Sequence, residues 1–288
     1  MSDLVVVDGF ELDDLAAEMG AEKDGISGAY LPRLVTNRRL KDSNNRKLEQ
    51  GKFYLTGQDV ETFADSVKFR PLSHHYQYTQ YDSDENKMVC QTRQVPNWKE
   101  ELRDTRGTIR CGRPDSKIVN SMTKEERKKY KDIKNVRLIR GLVTYEGTTV
   151  SGDVVQHDNV PCVVKLSGQN NFQSTEKGVY SRFDSQVRER IPRGYELWNF
   201  ELDITAEEHT SDDNQMFWHT MEWSFDPKAP LAVDQKVYDS IVFIAEMIRQ
   251  ENDAVDKAYF NSIKESADIS GALNALGEDL DADFEDVA

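Results

Sequence analysis

Residues 196–205 read Glu196-Leu197-Trp198-Asn199-Phe200-Glu201-Leu202-Asp203-Ile204-Thr205. Trp198, Phe200, Leu202 and Ile204 fall on one side of an extended chain and Asn199, Glu201 and Asp203 on the other. That is the two-residue period of a β-strand with one buried face. The next apolar stretch repeats it: Phe217, His219, Met221, Trp223 and Phe225 share a face, with the polar residues 207–214 read as the hairpin loop between the two strands. This antiparallel pair predicts a mainly β chain.

Working outward, the same reading finds strands at 29–35, 52–55, 67–72 and 75–81, the last with Tyr76 and Tyr78 alternating with polar residues. Residues 82–86 are a turn, and 88–92 pair back as a hairpin. Residues 136–145 and 160–166 are apolar, β-branched strands. The stretch 41–51 is a polar loop. Residues 96–120 are irregular, punctuated by Pro96, Gly107, Gly112 and Pro114. Thr123 with Glu126 has the spacing of a capping box and opens a short charged helix. Beyond Pro230 the period changes: Val233, Val237, Ile241, Ile244 and Ile248 predict a helix. The order fits a Greek-key barrel of the OB type with long inserted loops, a β-sandwich being the alternative. The expected layout is an acidic leader over 1–27 with a short amphipathic helix (Leu12, Leu15, Ala16, Met19), a core over 28–228, a helical segment over 229–268 and a disordered acidic tail over 269–288.

The chain has 288 residues and a formal net charge of −15. Residues 1–24 carry eight acids and one base, and residues 265–288 eight acids and no base, so the intervening core is neutral overall. Within that core, residues 103–140 hold thirteen bases against five acids, and residues 30–54 seven against two. Two basic blocks inside an acid-ended chain predict a polyanion-binding surface. No apolar run approaches the roughly 20 residues of a membrane span, no signal peptide is read at the N-terminus, and three cysteines cannot complete a disulfide set, which points to a reducing, cytoplasmic compartment.

The sequence contains no phosphate-binding P-loop, dinucleotide fingerprint, zinc-protease helix or serine-nucleophile elbow, so no catalytic residue and no cofactor is expected. Ser121-Met122-Thr123-Lys124 matches Ser-x-x-Lys, a pattern of two fixed positions that chance supplies. Glu196, Glu201 and Asp203 form the weaker alternative of a metal-dependent nuclease. Cys90 and Cys111 with His74 or His75 are the residues from which a zinc site could be drawn, but no Cys-x-x-Cys pair is present.

Sequence-tolerant binding of a single strand needs cations along a groove and rings on which bases stack. Here Arg33, Arg38, Arg39, Lys52, Arg70, Arg106 and Arg110 are read as phosphate contacts, and Tyr54, Tyr76, Tyr78 and Trp98 as stacking rings. Phe53, Phe63 and Phe69 are assigned to the core. The acidic end, with Asp279, Asp281, Asp283, Phe284, Glu285 and Asp286, is a polyanion that can lie in the same groove or dock on a partner.

Together with the segments Leu31-Pro32-Arg33-Leu34, Val67-Lys68-Phe69-Arg70-Pro71-Leu72 and Tyr76-Gln77-Tyr78, and Cys111-Gly112-Arg113-Pro114 further on, this organisation resembles bacteriophage single-stranded-DNA-binding proteins. The resemblance spans roughly residues 28–225 plus the tail. It implies coating of single strands in replication, recombination and repair, and a tail that contacts polymerase and helicase–primase in the host cytoplasm. Two features depart from that family: Phe284 is followed by Glu285-Asp286-Val287-Ala288 rather than ending the chain, and the acidic leader is additional. The competing expectation is a virion or regulatory interaction protein that acts through its acidic ends and does not bind DNA.

Overall fold

The computed structural model describes residues 31–82, 87–128, 130, 132–175, 178–210 and 217–282. The predicted leader helix and residues 283–288 of the tail lie outside them. The fold is mainly β and antiparallel, with a long C-terminal helix. Its strands are β1 (Leu34–Thr36), β2 (Phe53–Leu55), β3 (Thr62–Phe63), β4 (Ser66–Asp82), β5 (Lys87–Gln91), β6 (Ile133–Thr149), β7 (Val154–Leu166), β8 (Phe172–Thr175), β9 (Gly178–Ser181), β10 (Leu202–Thr210) and β11 (Phe217–Ser224). Helices are α1 (Ser116–Ser121), α2 (Lys124–Lys128), α3 (Arg182–Gln186) and α4 (Gln235–Ala282).

The main sheet runs β11-β10-β4-β6-β3, with β5 also paired to β4 and β7 to β6. It is open among the described residues. The β1–β2 hairpin is tied to it by two bridges, a parallel one between Arg33 and Val163 and an antiparallel one between Phe53 and Ala64.

The strands predicted at 67–72 and 75–81 are one strand. Pro71 has no N–H for the ladder, and the register against β6 slips by one residue between Pro71 and Ser73, so Leu72 is left as a bulge. Opposite Pro71 stands Gly141. A Cβ there would come within 2.2 Å of the Arg70 carbonyl oxygen and 2.7 Å of the Phe69 ring, so only glycine lets β4 and β6 approach.

The stretch 196–205 is half strand. Its first part is a three-ten turn, Leu197–Asn199, closed by a capping box in which the Glu196 N–H donates to Asn199 Oδ1 at 3.0 Å. The turn rotates Trp198 off the face it was predicted to share. Phe200, Leu202 and Ile204 enter the main core with Phe69, Ile139, Val143 and Trp223, whereas Trp198 packs with Leu72, Leu142 and Val237 on the opposite side of the sheet. There α4 covers β4 and β6 through Val237, Ile244 and Ile248. Asp234 caps the helix, its Oδ1 accepting the Val237 N–H at 2.9 Å. The helix continues past the expected boundary at 268 to Ala282, through Gly271 and Gly277. The Ala272-Leu273-Asn274-Ala275-Leu276 run between those glycines has the helix propensity to carry it. The capping box of Thr123 and Glu126 forms at α2 as predicted. Among the described residues no helix is long and apolar enough to cross a membrane.

Substituting Gly141→Ala forces β4 and β6 apart and is expected to destabilise the fold by about 3 kcal/mol. Urea denaturation measures this, and an unchanged midpoint would mean that the strand pair has slack the contact distances deny.

Candidate nucleic-acid interface

The face of the sheet turned away from the main core carries a run of polar and cationic side chains. Gln77 comes from β4, Arg140 from β6, Lys165 from β7 and Arg33 from the chain just before β1. With Met247, Glu251 and Val255 of α4 as the facing wall, they line a cleft of about 260 Å³. Lys165 alternates with the inward residues Val164 and Leu166, which is why a strand with a buried face delivers a lysine here.

The cations of this cleft are in different states. Arg140 is buried and satisfied: Nη2 donates to Glu251 at 2.7 Å and Nη1 to Gln94 Oε1 at 2.8 Å. Lys165 has no hydrogen-bond or ion-pair partner among the described residues. Burial, with Arg33 and Lys134 close by, pulls its ammonium down to about 8. An amine so placed favours an incoming anion, which relieves both the desolvation and the repulsion.

β1 and β7 run parallel at the Arg33–Val163 bridge, so both lead away from the cleft in the same direction. At their far ends is a second cleft of about 440 Å³, lined by Arg38, Gln50, Ser167, Asn170, Phe217, Trp218 and His219. Phe217 is 51% exposed. Trp218 stacks on His209 with centroids 5.6 Å apart and planes 20° from parallel. His219 closes onto Gly51, where φ is +82° and a Cβ would come within 2.6 Å of the imidazole, so a side chain is disfavoured there. An exposed Phe217 and a half-buried Trp218 beside an arginine are the parts of a stacking platform. The sequence pattern puts Phe217 on one strand face with His219, Met221, Trp223 and Phe225. The latter three are buried, but Phe217 lies at the strand end, beyond the packed part of the sheet, and Trp218 drew no attention at all.

The predicted phosphate contacts separate. Arg33 lines the first cleft and Arg38 the second. Arg39 pairs with Glu61 at 2.9 Å and lies 4.9 Å over the Tyr54 ring, which also packs on Phe63. Lys52 is held between Glu49 and Asp65. Arg70 is buried, donating to the carbonyls of Trp198 and Ala232, each at 2.7 Å. It clamps the approach to α4 and is not available to a phosphate. Arg106 is exposed, and Arg110 sits half-buried in a left-handed turn at φ +56°.

The predicted stacking rings gather elsewhere. Tyr76, Tyr78 and Trp98 form one cluster, with Trp98 4.4 Å from Tyr76 and 5.2 Å from Tyr78. Tyr76 is only 6% exposed, covered by the Arg137 guanidinium at 4.8 Å, and its hydroxyl accepts from Arg137 and Arg188. It has no free face for a base and is a core residue. Tyr78 and Trp98 stay half-buried, with Arg113 5.5 Å over the Tyr78 ring. Asp279 and Asp281 fall in the last turn of α4, while Asp283, Phe284, Glu285 and Asp286 lie outside the described residues.

The nuclease carboxylates do not assemble among the described residues. Glu201 pairs with Lys68 at 3.0 Å, Glu196 caps its turn, and neither they nor Asp203 belong to a metal-capable cluster. The four residues considered for zinc divide. His74 stacks on Phe183 at 5.5 Å, held down to about 2 by burial and by Arg137. His75 is held to about 4 by burial and by Arg140. Both are neutral and separate from the cysteines, which come together with Asp104 instead. No protein-family model, curated protein or solved structure matches the chain.

Because the folded-state value of Lys165 lies below its unfolded value of 10.5, the folded protein sheds this proton first. The penalty for a charged Lys165 is therefore complete below pH 8, and its contribution to stability rises as pH climbs from about 8 towards 10.5. Lys165→Met is expected to stabilise the protein by roughly 2 kcal/mol at pH 7. That gain should shrink above pH 8 in urea denaturation. A pH-independent gain would assign the effect to packing alone.

Proposed function

We propose that this protein is a non-enzymatic single-stranded-DNA-binding protein that coats single strands during replication, recombination and repair. Its strand path runs from the Arg33–Lys165 cleft to the Arg38–Phe217–Trp218 platform. The observation that carries this reading is Lys165: a half-buried ammonium near two further cations, with no hydrogen-bond or ion-pair partner among the described residues. Such an arrangement opposes folding on its own and is stabilised by phosphate. Exposed Phe217 and half-buried Trp218 at the other end of the path supply the second requirement, sequence-tolerant stacking.

An OB-type barrel is the fold we assign to this activity. Its support is a circuit of pairings: β1 to β2, β2 to β3 through the Phe53–Ala64 bridge, β3 to β6, β6 to β7, and β7 back to β1 through the Arg33–Val163 bridge. On this reading the acidic residues at the C-terminal end, Asp279 to Asp286, compete with DNA for the cations and recruit replication proteins such as polymerase and helicase–primase.

Fluorescence anisotropy with a labelled single strand and the matching duplex tests the proposal. The single strand is expected to bind more tightly, with affinity falling as salt rises because phosphate contacts release counterions. Phe217→Ala and Trp218→Ala should each weaken binding by roughly 1–3 kcal/mol if each carries one stacked base. Affinity should also fall as pH rises through about 8, where Lys165 loses its proton, and Lys165→Arg should remove that dependence. Equal affinity for duplex, or binding untouched by Lys165→Ala and by both ring substitutions, would overturn the assignment.

A further inference from the structure

Cys90 lies on β5, Asp104 in the irregular stretch that follows, and Cys111 in a three-ten turn at Arg110–Gly112. Their Sγ, carboxylate oxygen and Sγ atoms all lie within 4.8 Å of one another. All three side chains are buried, at 2%, 0% and 3% exposure. Both thiols are free. The turn that delivers Cys111 is unusual: Arg110, Cys111 and Gly112 are left-handed in succession, at φ +56°, +53° and +69°. Two of these are residues with side chains, for which that conformation is strained. In this turn the Cys111 sulfur lies inward, within 3.6 Å of the Tyr78 carbonyl.

Asp104 is oriented by its own loop. One oxygen accepts from the backbone N–H groups of Arg106, at 2.9 Å, and Thr108, at 3.3 Å, and the other from the Thr108 hydroxyl. Thr105 donates its hydroxyl towards Cys90 Sγ at 3.5 Å. These are the outer contacts that fix the direction of a ligating group. The other group of metal-capable residues found among the described residues, Glu207, His209 and Glu222, is different. Its carboxylates are engaged by Arg182, and Glu222 also by Gln186, so that cluster is accounted for as an ion-pair network.

We propose that Cys90, Asp104 and Cys111 are the protein ligands of a structural zinc ion. Two thiolates and a carboxylate form a borderline-soft set suited to Zn²⁺, and their atoms, all within 4.8 Å of one another, are near enough for one ion to bridge them. A divalent cation also offsets most of the charge that three anionic ligands would bring into a buried site. The fourth position is left to water. The ion would join three pieces of chain that otherwise meet through isolated bridges, Thr92 with Asp104 and Arg103 with Ile109, in a segment with little regular structure. This inference is independent of the nucleic-acid reading, and neither result bears on the other.

The test uses the full chain, purified with reduced thiols. Bound metal is quantified by elemental mass spectrometry after loading with zinc alone, and Co²⁺ is substituted to read thiolate-to-cobalt charge transfer. About one zinc per chain, a thiolate charge-transfer band and a melting temperature that chelator lowers are expected. Cys111→Ser and Asp104→Asn should each bind at least about tenfold more weakly, while Cys162→Ala, in the main core, should retain the metal. Absence of zinc and of the cobalt band in the unsubstituted protein would overturn the site without reference to any variant. So would a Cys90–Cys111 disulfide in protein isolated without reductant, or undiminished binding by Cys111→Ser.

Discussion

Two antiparallel strands of seventeen residues, β4 and β6, pair along most of their length. Both of their faces must be removed from water over the middle of that pairing. On one side Phe69, Ile139 and Val143 enter the main core, and on the other Leu72 and Leu142 need a cover that the sheet does not provide. Helix α4 meets that need. The one-residue slip at Pro71 and the missing side chain at Gly141 keep the pairing continuous where the cover begins. The cleft exists because the helix covers this second face incompletely, leaving Gln77, Arg140 and Lys165 between helix and sheet.

Four buried or nearly buried cations show how the molecule treats charge. Arg70 is satisfied by two carbonyls, Arg137 by both oxygens of Asp184, and Arg140 by Glu251 and Gln94. Burial alone would raise Asp184, but Arg137 and Arg188 outweigh it and hold the carboxyl at about 2. Each arginine is a fixed part of the architecture, its fork matched to planar acceptors. Lys165 has no such arrangement among the described residues, and that contrast, more than the number of basic residues, sets it apart from the structural arginines.

Much of the fold was legible because its signals are local. The β-period of 200–204, the capping box at Thr123 and the helical spacing from Val237 to Ile248 each depend on neighbours in sequence. The misreadings occurred where distant residues decide. Pro71 looked like a strand end until Gly141 supplied room for a bulge. Trp198 fitted the alternation until Asn199 closed a turn behind it. The site was less legible than the fold. Basic blocks and tyrosines identify surface chemistry by composition, yet pairing with Glu61, Asp65 or a carbonyl removes a cation from service, and only coordinates reveal the pairing. Lys165 and Trp218 stood in unremarkable sequence, and nothing local distinguished them. The convergence of Cys90 and Cys111 on Asp104 likewise arises from chain reversals that no spacing announces.

Helix α4 is seated in two different ways. Its first turns rest on apolar burial, through Val237, Ile244 and Ile248. From Glu251 onward the footing is more polar, although Val255 is buried and Ile263 lies beside Gly107. Asn252 exchanges hydrogen bonds with the backbone of Gln94, Asp256 faces Arg93 and Arg103 at 3.6 Å, and Ser262 donates to the Thr105 carbonyl at 3.0 Å. Added salt screens the second kind of contact while leaving the first intact or strengthening it. The two halves of the helix thus depend on the medium in different ways: the footing of the first is insensitive to screening, and that of the second weakens with it.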